Sequence, residues 1–447
     1  AAILSLYDPD RSQTVMHLGQ TRTWEDAEAA LREALARQRG KRGSGLRILS
    51  ETVVSPALAA QRDELLAAFP DAHWHVYEPV NRDGAYRASD WAFGRQVDAH
   101  YDFTQADVVL TLDADFMMSL PGHLPYVDDF LSRRRLRKYG GDAAQATMNR
   151  LYAVEPGVSC TGAKADHRLA LRAGQIEPFA RALATACGIE SGGSVIGGSA
   201  AGHEKWLNAV AEDLQAHRGR SLVLAGERQP AVVHLLAHAI NDRLGNTGKT
   251  VYYTDAWDTG RTERTGSLKE LADALDGGVV ELLVILGGNP VYNAPVDFAL
   301  TERMQKVPLR VHLGLYDDET ARQCHWHLPE AHFLEAWSDA RAFDGTESIV
   351  QPLIEPLYQG RSAHELVRLL AGSEPTPGYE IVRRRWRRRA TREQAADFET
   401  FWESVLHDGL LAKSAQPRRS VSLADNWQRH LGTDKASAEP TASALEL

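Results

Sequence analysis

Short apolar runs separated by amphipathic stretches recur along this chain, and each run has the length of one buried strand. Leu46–Thr52, His73–Glu78, Ala106–Leu112 and Met148–Glu155 read as four strands, and Ser221–Glu227, Val251–Thr254, Glu281–Leu286 and Leu309–Leu313 as four more. Between them the period lengthens to that of helices. Ser55-Pro56 opens one that runs to about Phe69 with Pro56 at its first position, and others cover about 203–217 and 230–244, the latter closed by Gly245. Strands that alternate with helices and are apolar on both faces call for parallel sheets covered on both sides. The pattern therefore predicts an α/β protein with two doubly wound parallel-sheet units.

The 447 residues exceed one ordinary core. The Gly/Ser-rich stretch at 190–202 interrupts the alternation, which then restarts. The expected division is an N-terminal extension over 1–40, a first α/β domain over 41–190, a linker over 191–202, a second α/β domain over 203–372, and a helical or irregular tail over 373–447. Residues 433–447 are small and polar and are expected to be disordered. The chain opens like the interior of a longer protein, without a leader.

Composition narrows the function. No run of 18 apolar residues is present, so no membrane span is expected, and a net charge of −10 argues against nucleic acid as a partner. The three cysteines, Cys160, Cys187 and Cys324, stand far apart, which leaves this chain unable to hold an iron–sulfur cluster alone. Cys324-His325-Trp326-His327 is the densest group of metal-ligating types. On a strand Cys324 and Trp326 would face one way and the histidines the other, so no metal site is assigned.

Four stretches carry candidate chemistry. In Val284–Pro295 an apolar run ends in Gly287-Gly288-Asn289-Pro290, where the glycines admit a close ligand or backbone and Asn289 supplies a donor and an acceptor at the strand's carboxyl edge. Asp113-Ala114-Asp115 can bind a cation or a ribose hydroxyl, or cap the next turn. Asp166, after Ser159-Cys160-Thr161-Gly162, can accept two N–H donors from a guanine edge, or pair with Arg168 or a cap. Gly245–Thr250 looks like a phosphate loop but follows a helix and is too short for one. No nucleophile elbow or triad is found. The Arg383–Arg389 run fits an acidic partner, phospholipid head groups, or a solvated helix face over an acidic patch of this same chain.

Taken together, the polar turn after Ala106–Leu112, the Val154–Asp166 segment and the Gly-Gly-Asn-Pro strand end resemble the central domains of molybdopterin oxidoreductases. A closer resemblance is to the large iron–sulfur subunit of bacterial alternative complex III, a quinol-oxidising respiratory complex. Its carriers are Leu6–Ser12, Ser50–Pro56, Tyr77–Asp83, Leu286–Pro295, His312–Tyr316, Cys324–Pro329 and Trp337–Thr346. The resemblance implies a non-catalytic, cofactor-free scaffold with no catalytic or metal-binding residue. Asp166, Gly287, Gly288 and Asn289 would be relics of a guanine dinucleotide site. It implies the cluster-bearing part of the same subunit, cytochrome c and membrane subunits as partners, and iron–sulfur clusters and haems in those adjoining parts. It also implies a place on the periplasmic face of the inner membrane. The alternative is a cofactor-binding fragment of a bis-pterin molybdenum oxidoreductase, using Gly287–Pro290, Thr161–Asp166 and Cys160. Asp113-Ala114-Asp115 stands where such enzymes have Gly-x-Asn-Pro, and its carboxylates would repel a pyrophosphate.

Overall fold

Strand Leu46–Ser50 is buried at every position and needs a neighbour on each side. It finds them at His73–Val76 and at Leu282–Leu286, both parallel to it, with Ser50 level with Val76 and Leu286. The computed structural model describes residues 2–135, 147–190, 202–257, 263–393 and 395–432. It divides the chain into two compact units, one of residues 1–79 and 257–415, the other of residues 80–256 and 416–447.

The sequential division at 191–202 is therefore corrected: the units are interleaved along the chain. Leu46–Ser50 and His73–Val76 join the strands of the later segment, while Ser221–Ala225 joins Val108–Leu112 and Arg150–Glu155. The reason is that a fully apolar run specifies a central strand without specifying which other run it pairs with. The expected linker at 191–202 falls almost wholly outside the described residues, as does the expected disorder of 433–447.

In the first unit a seven-stranded sheet runs in the order Gln20–Arg22, Val15–His17, Trp326–Pro329, Leu309–Gly314, Leu282–Leu286, Leu46–Ser50, His73–Val76. The last five strands are parallel, and a short antiparallel hairpin closes the other edge. Leu46, Ile48, Val284 and Val311 face a core that includes Leu31 and Leu35 of helix Trp24–Arg39, Leu65 of helix Pro56–Ala68 and Val367 of helix Ala363–Leu370. Leu49, Leu283 and Ile285 face a second core with Leu268 and Leu271 of helix Arg264–Asp276. Helices thus cover both faces. The chain leaves Leu46–Ser50 to one side and Leu282–Leu286 to the other, so the strand order reverses between these two. That switch point opens a crevice at their carboxyl ends.

The second unit has four parallel strands in the order His167–Ala170, Arg150–Glu155, Val108–Leu112, Ser221–Ala225. Its core includes Leu110, Val154, Phe179, Leu183, Val223 and Leu236. Val251–Asp255 does not extend this sheet. It pairs antiparallel with Val97–Tyr101, a strand the apolar pattern does not announce because Asp98 and His100 interrupt it.

Several arginines of the run meet carboxylates of this same chain. Within helix Gly378–Arg392, Arg385 lies 2.7 Å from buried Glu347, Arg389 lies 3.4 Å from the same carboxylate, and Arg388 lies 3.1 Å from Glu64. Trp386 of this helix is fully buried against Val382, Trp402 and Val405. Gly245, with φ of 68°, follows helix Ala231–Arg243 as its closing turn.

Candidate functional site

The crevice of the first unit is built from loops that the parallel strands release at their carboxyl ends. After Leu282–Leu286, Gly287 and Gly288 both take φ of 66°, a left-handed backbone that strains any L side chain. The Gly287 amide is held by the Leu313 carbonyl at 2.8 Å. Asn289 then turns away into a neighbouring loop. Its amide nitrogen donates to Glu319 Oε2 at 2.7 Å, and its Oδ1 accepts from Thr320 Oγ1 at 2.7 Å. The donor and acceptor expected to face a ligand are thus used to tie two loops together.

After Leu46–Ser50 comes Glu51, and after Trp326–Pro329 comes Glu330. A methyl group added at Gly287 would sit 3.7 Å from Glu51 Oε2 and 3.9 Å from Glu330 Oε2, in ordinary contact with both, so the two carboxylates approach the same point beside the turn. Burial first, then the charge of Glu51, pushes the Glu330 carboxyl up to about 8. Burial first and then Glu78 raise Glu51. His312 is fully buried behind them, and burial lowers its imidazole to about 4, leaving it neutral. Its Nδ1 faces Nδ1 of His327 at 3.3 Å, and its Nε2 has no hydrogen-bond partner.

Ser55 and Asp339 complete one wall. Asp339 Oδ1 accepts from Ser55 Oγ at 2.5 Å and from the Ala57 amide at 3.0 Å, fixing the start of helix Pro56–Ala68. The cleft has a volume of about 670 Å³. Its lining holds the carboxylates of Glu51, Asp318, Glu330 and Asp339 and, among the described residues, no lysine or arginine. The guanine dinucleotide arm that the resemblance implies carries a pyrophosphate, and this donor set does not fit it.

In the second unit Asp166 is held by Arg134, whose Nη2 lies 2.5 Å from Oδ2, and the same carboxylate accepts the Leu151 amide at 2.8 Å. Burial works against its charge, but Arg134 and Leu151 outweigh it and hold the carboxyl below its ordinary value. Arg168, its other expected partner, pairs with Glu155 at 2.6 Å. Asp115 accepts the Thr161 amide at 3.0 Å and its hydroxyl at 2.7 Å, while Asp113 accepts from Gln229 at 2.9 Å. At Gly226 an added methyl would meet the Asp113 carbonyl at 1.8 Å, so the two strand ends close on each other at this switch point.

Among the described residues no group of three or more His, Cys, Asp or Glu is arranged to hold a metal. Cys160 is exposed, while burial raises Cys187 to about 11 and Cys324 to about 12. Cys324 and Trp326 do not share a face as the strand reading expects. The strand begins only at Trp326, and the two side chains enter different cores.

Of the sequence candidates, the structure gathers Gly287, Gly288 and Asn289 at one cleft and places Asp166 in the other unit. Glu51, Glu330 and His312 are the cleft residues that residue patterns did not single out. Their signal was a glutamate directly after each of two strands and a histidine inside an apolar run.

These features define an α/β protein with a molybdopterin-oxidoreductase-like fold built from two doubly wound units. Among solved structures, the chain is similar to acetylene hydratase from Pelobacter acetylenicus, with a TM-score of 0.57 and 13% identity. The match covers 83% of this chain and 62% of that one, so the chain spans about three fifths of the enzyme's length. At this identity the likeness shows the fold alone, and it does not single out alternative complex III. No family model and no curated protein sequence matches the chain.

Proposed function

We propose that this chain is a non-catalytic, cofactor-free molybdopterin-oxidoreductase-like scaffold within a quinol-oxidising respiratory complex of the alternative complex III type. The observation that carries the first half of the reading is the charge of the cleft. Glu51, Asp318, Glu330 and Asp339 line the place where a nucleotide arm would lie, among the described residues no lysine or arginine lines it, and Asn289 is committed to Glu319 and Thr320. In the second unit Asp166, Asp115 and Glu155 are likewise engaged by Arg134, Thr161 and Arg168.

The second half rests on the sequence segments that resemble the complex's large subunit. Under this reading the chain docks against a cluster-bearing part of the same subunit and against cytochrome c and membrane subunits, on the periplasmic face. Iron–sulfur clusters and haems belong to those adjoining parts. Among the described residues no helix is long and apolar enough to cross a membrane.

The test is elemental analysis for molybdenum, tungsten and iron, with pterin fluorescence after oxidation, on the purified chain and on the complex it copurifies with. Iron in the complex with neither pterin nor molybdenum in the chain is the expected result. Pterin and metal near one equivalent in the chain would overturn it in favour of a cofactor-binding fragment.

A further inference from the structure

We propose that the cleft between the carboxyl ends of Leu46–Ser50 and Leu282–Leu286 is a binding site for a monocationic primary amine with an apolar or aromatic body. The proposal rests on the geometry of this cleft and not on membership in a respiratory complex.

Two observations point to a ligand independently. Glu51 and Glu330 approach the same point beside Gly287, and among the described residues neither side chain has an ion pair or a hydrogen bond. Two carboxylates that approach one point oppose each other's ionisation, which brings the pair toward a single negative charge. That charge complements a monocation better than a divalent one.

The second observation is His312. Its side chain is fully buried and lines the cleft, and although the backbone of Gly288 lies close enough to favour its charged form, Nε2 makes no hydrogen bond of normal geometry. A buried polar nitrogen left unpaired is costly and calls for an explanation. With the proton of the His312–His327 contact on Nδ1 of His312, Nε2 presents a lone pair. An ammonium group carries three N–H donors, for which Glu51 and Glu330 offer acceptors beside Gly287, and His312 lines the same cleft.

The body of the ligand is indicated by the remaining lining. Val53, Leu286, Leu315 and Val350 are apolar, and Phe333 is 56% exposed. Apolar walls with a few convergent polar groups suit an organic ligand, and about 670 Å³ lies within the usual size range for one. A bare metal ion is a poorer match, since no three metal-ligating groups are arranged for one among the described residues.

The probe is 2-phenylethylamine, titrated calorimetrically at pH 7.5 into the full chain in two buffers of different ionisation enthalpy. Its neutral isostere 2-phenylethanol, n-hexylamine and Mg²⁺ alone serve as comparisons. The expected result is saturable binding of the amines at millimolar concentration, no binding of the alcohol, and proton release on binding. Affinity should fall by about tenfold in Glu51→Gln, a change that keeps the shape of the side chain and removes its charge. Proton release should disappear in Glu330→Gln; should that variant not fold, Glu51→Gln and the alcohol carry the test.

Equal binding of amine and alcohol, binding of Mg²⁺ in place of the amines, or no amine binding at millimolar concentration would each overturn the proposal. Pterin found in the chain would instead overturn the scaffold reading, whichever way the amine titration turns out.

Discussion

Glu330 shows how a single side chain acquires a character its sequence neighbours do not give it. It follows Pro329 in a segment that reads as a strand end, and nothing local distinguishes it from a solvated glutamate. Packed beside Glu51 under Gly287, its carboxyl rises from an ordinary value of 4.5 to about 8. The folded chain then holds this proton more tightly than the unfolded chain does. The stability linked to it is fully present below about pH 4.5 and is lost as pH rises through about 8. Replacing Glu330 by Gln removes that loss. The variant and the parent chain should melt alike at pH 4, while at pH 9 the variant should melt higher. Thermal melts of both across this range check it, and parallel curves at every pH would refute the assignment. Gly287 and Gly288 stand at the other end of legibility. Two glycines between a strand and an Asn-Pro already announce a tight, left-handed turn, and both adopt it. That two carboxylates of this chain approach this turn was not written in the motif.

At the scale of elements the helix Gly378–Arg392 is the clearest case. Six arginines in seven residues look like a docking surface when read as composition. Their positions on a helix instead divide them by face. Arg385 and Arg389 reach the buried carboxylate of Glu347, Trp386 enters the core beside Trp402, and Arg384 stays in solvent. Arg385→Ala leaves Glu347 and Asp339 with less compensation in a buried setting and should cost ~3–5 kcal/mol, the usual penalty for breaking a buried pair. Arg384→Ala, one position away, should fall within about 0.5 kcal/mol of the parent. Urea denaturation of the two variants separates these outcomes, and equal effects would mean that the run acts as a whole. Helix starts were more legible than helix partners. Ser55-Pro56 marks the beginning of Pro56–Ala68, with Ser55 Oγ accepting the Leu58 amide at 3.0 Å. That Asp339, nearly 300 residues later in the chain, would accept from the same hydroxyl was not readable from either segment.

For the whole molecule, the cores follow the interleaved units and not the order of the chain. Leu46, Ile48, Val284 and Val311 share one core, and Leu110, Val154, Val223 and Leu236 share another. A protein carrying residues 1–79 joined to 257–415 through a flexible Gly/Ser linker should therefore fold with a cooperative transition and keep the cleft. A cut at the sequential boundary near residue 191 should leave two pieces that both lack central strands. Circular dichroism melts and limited proteolysis of the two pairs of products check this, and a well-folded 1–190 fragment would refute the division.

What the sequence determined by itself was the kind and place of most elements: buried runs became strands, capped amphipathic stretches became helices, and their alternation required doubly wound parallel sheets. Its motifs also led to the molybdopterin-oxidoreductase-like class that the fold bears out. These are local or periodic properties, set by burial and backbone geometry over a few residues. Only the tertiary structure decided which strands are neighbours, because a fully apolar strand pairs equally well with any other. For the same reason it alone decided that Glu51 and Glu330 meet at one strand-order reversal with His312 behind them, and that Asp166 is held by Arg134.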